Sequence, residues 1–252
     1  SGLGLPYGQD AVIEALAEAT DRLIVVNISG NAVAMPWAGD VPSILQAWYI
    51  GSEAGHAIAD VLSGDVNPSG KLPFTFPARL EDVPAHIFGE YTGVPQRDTV
   101  DIRYKDGIYV GYRWTDLQKK TKPLFAFGHG LSYTEFEYGK PVLDSKVMTA
   151  DGTVTVSVEV TNTGDREGQE VVQLYVGDRK SSLPRPLKEL KGFKKISLEP
   201  GESRTVTFSV DKEDLAFFDP EKHEWVAEPG VFDLYIAAAA DDVRGKVSFE
   251  LK

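Results

Sequence analysis

The sequence predicts an incomplete α/β layer followed by an all-β, immunoglobulin-like sandwich. Apolar residues switch between helix and strand spacing over residues 7–64, whereas strict strand alternation prevails from about residue 132 onward. Alternating helices and strands are typical of a parallel sheet covered by helices. Several short strands separated by turn residues are typical of a β-sandwich. With 252 residues, the chain is long enough for two ordinary domains.

The α/β layer begins with a helix whose apolar residues share one face between residues 12 and 19. The continuous apolar run at residues 23–28 predicts a strand buried on both faces, and residues 44–49 predict a second strand. A second amphipathic helix begins near Ala54 and ends at Gly64. These few elements cannot close a sheet. We therefore expect further strands from sequence outside this chain, or packing on another chain.

Proline, glycine and aromatic residues are frequent in the middle of the chain. We assign residues 1–78 to the α/β layer, 79–131 to an interdomain strap and 132–252 to the sandwich. A flexible linker would be rich in Ser and Gly and poor in aromatic residues. We therefore expect an ordered strap with buried rings, the alternative being a disordered linker. The aromatic residues between about Asn67 and Leu131, where this composition prevails, are Phe74, Phe76, Phe88, Tyr91, Tyr104, Tyr109, Tyr112, Trp114, Phe125 and Phe127.

Alternation with a period of two marks the strands of the predicted sandwich. Valines at 154, 156, 158 and 160 alternate with polar residues, which is typical of a half-buried strand. Pro200-Gly201 and Pro229-Gly230 supply turns between such segments. The same alternation recurs at 172–176, 206–210, 232–236 and 247–251.

Composition excludes several classes of function. The formal net charge of −12 argues against nucleic acids and anionic membrane surfaces as partners, because phosphate binding needs clustered Lys and Arg. No apolar run has the length of a transmembrane helix. The chain has no Cys, and its histidines at 56, 86, 129 and 223 lack the spacing of metal ligands. The glycine patterns lack the strand and helix context of a dinucleotide site, so we expect no metal and no cofactor.

The chain carries, in order, the strings GSEAGHAIADVLSGDVNPSGKLPFTFP (51–77), GIYVGYRWTD (107–116) and PLFAFGHGLSYTEFEY (123–138). VEVTNTGDREGQEVVQLYV, RPLKELKGF and LEPGES follow. In this order they closely resemble the C-terminal part of glycoside hydrolase family 3, the β-glucosidase and β-xylosidase family. The resemblance covers nearly the whole chain. It implies that the sandwich is the fibronectin type III-like domain that many members carry.

The resemblance implies a retaining double displacement at a β-linked sugar, which needs two carboxyl groups about 5 Å apart. In the family the nucleophile is an Asp of an N-terminal barrel, and the acid/base Glu shortly precedes a segment resembling residues 3–10. We therefore expect both groups upstream of Ser1, which resembles a processed or excised end, and we assign no catalytic residue here. Asp10 and Glu14 are expected to be solvated on their helix.

Trp48 and Glu53 are the candidates for residues adjacent to substrate. Glu53 follows a predicted strand and opens a helix, where α/β folds place functional groups. It either orients loops around the sugar or is a first-turn acid favoured by the helix dipole, with Ser52 near the cap. Trp48 either stacks on a sugar ring or belongs to the core of its strand.

Tyr112, Arg113 and Trp114 are predicted to be structural. Arg113 stands between two aromatic residues, so its guanidinium can pair with a carboxylate while it stacks on a ring. We expect these three residues to tie the sandwich to the α/β layer rather than to bind sugar. The loop at 181–190, stiffened by prolines, is either an arm reaching towards the sugar site or an ordinary sandwich loop.

Two functions fit these observations. The first is the C-terminal part of an exo-acting retaining β-glycosidase, by default a β-glucosidase, that hydrolyses terminal non-reducing β-linked sugars. The second is a stand-alone carbohydrate-binding or assembly module without activity. The truncated α/β layer favours the first, with a β-glycoside or oligosaccharide substrate, a barrel-containing N-terminal segment or chain, and a homodimer as expected partners. Absence of Cys leaves the compartment open, and we expect a bacterial periplasmic or secreted protein rather than a cytoplasmic one.

Overall fold

The computed structural model describes residues 2–88, 92–118 and 121–252, which divide into two compact units. Unit 1 comprises Ser1–Val66, Phe74–Gly111 and Gln118–Ala126, and unit 2 comprises Asn67–Pro73, Tyr112–Leu117 and Phe127–Lys252. Tyr91, one of the predicted strap aromatics, lies outside the described residues. The domain bounds at 78 and 131 stay a prediction.

The helices of the described residues are α1 (Gln9–Ala19), α2 (Ala54–Ser63), α3 (Pro84–Ile87), α4 (Tyr112–Thr115) and α5 (Lys212–Leu215), with a 3-10 turn at Leu80–Asp82. The strands are β1 (Ile24–Asn27), β2 (Ser43–Gln46), β3 (Val94–Pro95), β4 (Val100–Asp101), β5 (Phe136–Tyr138), β6 (Val142–Leu143), β7 (Val147–Met148), β8 (Val154–Asn162), β9 (Gly168–Asp178), β10 (Glu189–Leu198), β11 (Ser203–Val210), β12 (Phe217–Asp219), β13 (Glu224–Val226), β14 (Gly230–Ala239) and β15 (Asp242–Leu251).

In unit 1, β1 and β2 pair in parallel, with Asn27 opposite Gln46 at their carboxyl ends. The predicted second strand at residues 44–49 is wrong at its end, because β2 stops at Gln46. Trp48 has a φ of 55°, and a left-handed residue cannot continue an extended strand. The carboxyl ends of the two strands therefore lie side by side, and the chain turns away directly after them.

The two longer helices of unit 1 lie where the periodicity predicts them. The predicted end of α2 at Gly64 is confirmed, and Gly64 adopts the left-handed conformation of a glycine C-cap with a φ of 86°. The apolar face of α1 is not covered, since Val12 and Leu16 are both exposed. The structure thus shows an amphipathic helix whose apolar face contacts solvent.

The aromatic residues between about Asn67 and Leu131 differ widely in burial. Phe76 is fully buried, and its backbone forms an antiparallel bridge with Phe125, with the Phe76 amide donating to the Phe125 carbonyl at 2.8 Å. Tyr104, in contrast, is 87% exposed. The expectation of buried rings is therefore correct for Phe76 and wrong for Tyr104.

Unit 2 contains the predicted β-sandwich. One sheet has the strand order β10-β9-β14-β15-β7, and the other has the order β11-β8-β5, with β6 also pairing with β8. Neighbouring strands are antiparallel except for β15 and β7. Outside these sheets, β12 and β13 form a hairpin on which Phe218 and Trp225 are opposite each other and exposed, Trp225 to 70%. The all-β fold class is confirmed.

The core of the sandwich is formed by the residues that the alternation predicts to face inward. Valines 154, 156, 158 and 160 on β8 are all buried. Facing positions on the other strands contribute Val172, Leu174, Val176, Val206, Phe208, Val210, Phe232, Leu234, Ile236, Phe249 and Leu251. Phe232 and Phe249 are paired in register across β14 and β15, and their rings stack with centroids 6.0 Å apart.

Replacing Phe232 with Ala should lower the free energy of unfolding of unit 2 by about 3–5 kcal/mol, because it leaves a cavity in the core. Val231, its exposed neighbour on the same strand, is the matched control, and Val231→Ala should cost less than about 1 kcal/mol. Urea unfolding followed by circular dichroism measures both. Equal losses for the two variants would contradict the assignment of the core.

Candidate functional site

Three polar side chains meet at the carboxyl edge of β1 and β2. The Asn27 side-chain amide is buried and donates to Gln46 Oε1 at 2.6 Å and to Ser29 Oγ at 3.0 Å. Gln46 Nε2 donates to Ser29 Oγ at 3.2 Å. Because α/β sheets bind ligands outside the carboxyl ends of their strands, this edge is the candidate functional site.

Sequence reasoning missed this polar network. Asn27 was visible as a polar residue inside a continuous apolar run, and this was the signal available. Gln46, however, becomes its partner only through the parallel register of β1 and β2, which joins residues 19 positions apart. The network fixes the start of the loop that follows β1 against the end of β2.

Trp48 lies just beyond this edge in a strained conformation. A positive φ is rare for a bulky residue and persists only where the surroundings enforce it. The indole packs edge-on against Phe74 and Phe76, with ring centroids 5.4 and 5.9 Å away. Trp48 is half-buried and follows the end of β2 at Gln46, so its assignment to the core of that strand is wrong. Its position next to substrate stays a prediction.

Glu53 occupies the N-cap position of α2, directly after Ser52, and is therefore not an acid of the first helical turn. The Glu53 carboxylate makes no capping hydrogen bond and instead lies 2.7 Å from Nδ1 of His56, one turn along the helix. Both side chains are exposed, which limits the strength of this pair. The two candidate residues thus contact different groups. Trp48 packs against aromatic rings, and Glu53 pairs with an imidazole.

Asp10 is half-buried, contrary to the expectation that it is solvated, whereas Glu14 is exposed as expected. One Asp10 oxygen accepts from Nε1 of Trp37 at 2.8 Å, and the other accepts from the Leu5 amide at 3.2 Å. Trp37 is 1% exposed, so this carboxylate satisfies a fully buried indole donor. The loop before α1 and the segment around Trp37 are therefore joined through Asp10.

Tyr112 and Arg113 contact β10 within unit 2. Arg113 Nη2 lies 3.0 Å from Glu189 Oε1, and the Tyr112 hydroxyl accepts from the Leu190 amide at 2.9 Å. The Tyr112 ring stacks on Phe127. Through these contacts both residues attach their short helix to β10 and Phe127 within unit 2. Trp114, in the same helix, is half-buried. Their role as an interdomain tie stays a prediction.

The loop at 181–190 is anchored by two buried cations. Arg185 pairs with Asp178 and with Glu189 and donates to the Leu215 carbonyl at 2.7 Å. Lys188 pairs with Asp116. Burial raises the pKa of Asp116, and the Lys188 ammonium offsets part of that rise. Whether the loop also reaches towards a sugar stays a prediction.

Over residues 2–88, 92–118 and 121–252, no group of three or more His, Cys, Asp or Glu side chains is arranged to hold a metal ion. Among the same residues, no helix is both long and apolar enough to span a membrane.

The sequence profile of the Glycosyl hydrolase family 3 C-terminal domain matches residues 1–133. The chain belongs to glycosyl hydrolase family 3. The matched region contains the carboxyl edge of β1 and β2 with Trp48 and Glu53. A second profile, the Fibronectin type III-like domain, matches residues 170–240, which lie in the sandwich. The family resemblance and the fold class predicted from the sequence are confirmed.

Curated relatives of this family member are β-glucosidases. The chain is 54% identical to Beta-glucosidase BoGH3A of Bacteroides ovatus over 98% of its own length and 32% of that protein. It is 45% identical to Thermostable beta-glucosidase B of Acetivibrio thermocellus over 96% of its own length and 31% of that protein. The chain thus spans just under a third of the length of these relatives.

Two solved β-glucosidase structures also match the whole chain, which spans less than a third of each enzyme. The β-glucosidase DesR from Streptomyces venezuelae, in complex with D-glucose, superposes with a TM-score of 0.90 at 41% identity, covering 100% of this chain and 31% of DesR. The β-glucosidase from Kluyveromyces marxianus, in complex with glucose, gives a TM-score of 0.89 at 38% identity, covering 100% of this chain and 29% of that enzyme.

Replacing Asp10 with Ala should destabilise unit 1 by about 1–3 kcal/mol, because the buried indole N–H of Trp37 loses its acceptor. Asp10→Asn keeps an acceptor oxygen and should lose less. Glu14→Ala, on the exposed side of the same helix, is the control and should have little effect. Urea unfolding followed by tryptophan fluorescence measures all three. An Asp10→Ala variant as stable as Glu14→Ala would show that this hydrogen bond contributes nothing.

Proposed function

We propose that this chain is the C-terminal part of an exo-acting retaining β-glycosidase, most simply a β-glucosidase, that removes terminal non-reducing β-linked sugars. The observation that carries this proposal is the 54% identity to Beta-glucosidase BoGH3A across 98% of the chain. The aligned region extends through both the α/β layer and the sandwich. It supports a complete protein built and acting like that relative.

The two catalytic carboxyl groups belong, in this proposal, to the N-terminal part of the complete enzyme. Retaining hydrolysis needs a nucleophile and an acid/base about 5 Å apart. An Asp of a barrel would be the nucleophile, and a Glu shortly upstream of Ser1 would be the acid/base. Trp48 would contact the sugar with the accessible part of its ring, since Phe74 and Phe76 brace the rest. Glu53, paired with His56, would orient the loop between β2 and α2.

A barrel-containing segment would be the main partner of unit 1. Exposed apolar side chains of this unit include Val12 and Leu16 on α1, Ile28 after β1, and Tyr49 after β2. Large exposed apolar patches mark protein interfaces, and a companion segment would cover these side chains. Self-association of the isolated chain into a homodimer is the alternative way to cover this surface. The complete enzyme would act in the periplasm or outside the cell.

Residues 1–252 alone should hydrolyse no aryl β-glucoside or aryl β-xyloside above background, whereas the complete protein, with its native upstream sequence, should hydrolyse them. The reason is that the proposed carboxylates lie upstream. Release of the aryl group from both proteins, at equal concentration, provides the test. If residues 1–252 still hydrolysed these substrates after repurification, the placement of both catalytic carboxylates upstream would be refuted. A complete protein that binds sugars without hydrolysing them would favour the non-catalytic module.

In the complete enzyme, Trp48→Ala should lower kcat/KM by about two- to tenfold, the kinetic equivalent of an aromatic contact of about 0.5–1.5 kcal/mol. Trp225→Ala is the matched control, because Trp225 is an exposed tryptophan of the sandwich hairpin. It should leave kcat/KM unchanged. Melting temperatures of both variants separate a folding defect from a binding defect. An unchanged kcat/KM in a folded Trp48→Ala enzyme would remove Trp48 from the sugar site.

A further inference from the structure

A cavity of about 480 Å³ opens in unit 2. Residues of four regions line it: Lys71, the 129–138 segment, Glu170 of β9, and the adjoining ends of β14 and β15. Pockets of about 300–1,000 Å³ are typical of small-molecule sites in proteins. The charged and aromatic lining residues are Lys71, His129, Glu135, Phe136, Tyr138, Glu170, Asp242 and Arg244.

A buried ion pair forms part of the cavity wall. Lys71 Nζ lies 3.1 Å from Glu170 Oε1, and the two side chains are only 14% and 8% exposed. Lys71 also donates to the Gly130 carbonyl at 2.8 Å, and Glu170 accepts from the Val171 amide at 2.9 Å. Burying two charges is costly unless both are paired and hydrogen-bonded. This wall is therefore fixed in place before any ligand arrives.

A second, more accessible ion pair lies beside it. Arg244 Nη2 is 2.7 Å from Asp242 Oδ2, and the Arg244 guanidinium lies over the Tyr138 ring, 5.4 Å from its centroid. Burial raises the pKa of Tyr138, and the nearby Glu170 carboxylate adds to the rise, so the phenol stays protonated at neutral pH. A guanidinium over an aromatic ring still has N–H groups that can donate to a ligand.

The charges of the lining define the class of ligand. Two cations face three carboxylates, counting Glu135 with Glu170 and Asp242, while burial lowers the pKa of His129 and keeps its imidazole neutral at pH 7. An anion would meet net negative charge, and a cation would compete with Lys71 and Arg244 for the same carboxylates. Hydroxyl groups both donate to carboxylates and accept from guanidinium groups. The rings of Phe136 and Tyr138 offer apolar surface beside these polar groups.

We propose that this cavity of unit 2 binds a neutral mono- or disaccharide. It goes beyond the hydrolytic function proposed above, because it needs neither catalytic carboxylate. It gives the sandwich a binding role of its own. A purely structural role for the lining residues would predict stability effects upon mutation without any sugar binding.

The first test is a titration of the ¹⁵N-labelled 252-residue chain with D-glucose and cellobiose, followed by amide chemical shifts. We expect saturable shifts at residues 129–138 and 238–244. Glucose 6-phosphate and glucosamine, which carry opposite charges, should bind more weakly than glucose. Absence of saturable shifts with both neutral sugars, or tighter binding of glucose 6-phosphate, would overturn the proposal.

The second test uses two matched arginine variants. Arg244 pairs with Asp242 and Arg204 pairs with Glu202, both at 2.7 Å and two residues apart, and their side chains are 41% and 47% exposed. Arg204 lies on β11 and does not line the cavity. Arg244→Met should raise the dissociation constant for the sugar about tenfold, and Arg204→Met should leave it unchanged. Equal affinities in the two variants would refute the site.

Glu170→Gln keeps the shape of the side chain and should also weaken sugar binding, whatever its effect on melting temperature.

In the complete enzyme, Arg244→Met should leave kcat/KM for aryl β-glucosides unchanged. Loss of hydrolysis in a folded Arg244→Met enzyme would overturn the proposal that sugar binding in this cavity is independent of hydrolysis. Failure of the cavity to bind sugar would leave the proposed hydrolytic function unaffected.

Discussion

The parallel register of β1 and β2 is the constraint on which the candidate site depends. It sets Asn27 opposite Gln46, so that two amide side chains meet at the carboxyl edge and share Ser29 as a partner. Trp48 then ends the extended backbone, and its ring lies against Phe74 and Phe76. A slip of one residue would move every β2 side chain to the opposite face. The polar network and the position of the indole would then be lost together.

The two units bury their apolar residues to very different extents. In unit 2 the inward positions of both sheets form one continuous core. In unit 1 the buried set is small, and large side chains such as Tyr7, Leu16 and Tyr49 are exposed. Burial contributes about 25 cal/mol for each Å² of apolar surface removed from water. The sandwich therefore obtains its stability from its own residues, whereas unit 1 leaves much of its apolar surface uncovered, in line with a proposed partner segment.

The sandwich could be predicted from local patterns, because apolar and polar residues alternate along a strand that has one buried face. The valines from Val154 to Val160 show this alternation. The end of α2 was predictable for the same reason, since Gly64 acts through its own backbone. The contacts at the site were not predictable. The Asn27–Gln46 and Asp10–Trp37 hydrogen bonds join residues 19 and 27 positions apart. The left-handed backbone of Trp48 is imposed by its surroundings, and the residue type gives no sign of it.

The distribution of tryptophan gives the molecule internal optical probes. Trp37, which is 1% exposed and hydrogen-bonded to Asp10, belongs to unit 1, whereas Trp225, on the β12–β13 hairpin, is 70% exposed and belongs to unit 2. A shielded indole emits at shorter wavelength than one in water. The blue edge of the emission band should therefore be dominated by Trp37 and the red edge by Trp225, with the half-buried Trp48 and Trp114 contributing between them. Collisional quenchers would suppress the Trp225 emission first, so that the buried Trp37 of unit 1 can be followed against the exposed hairpin of unit 2 in one unlabelled sample.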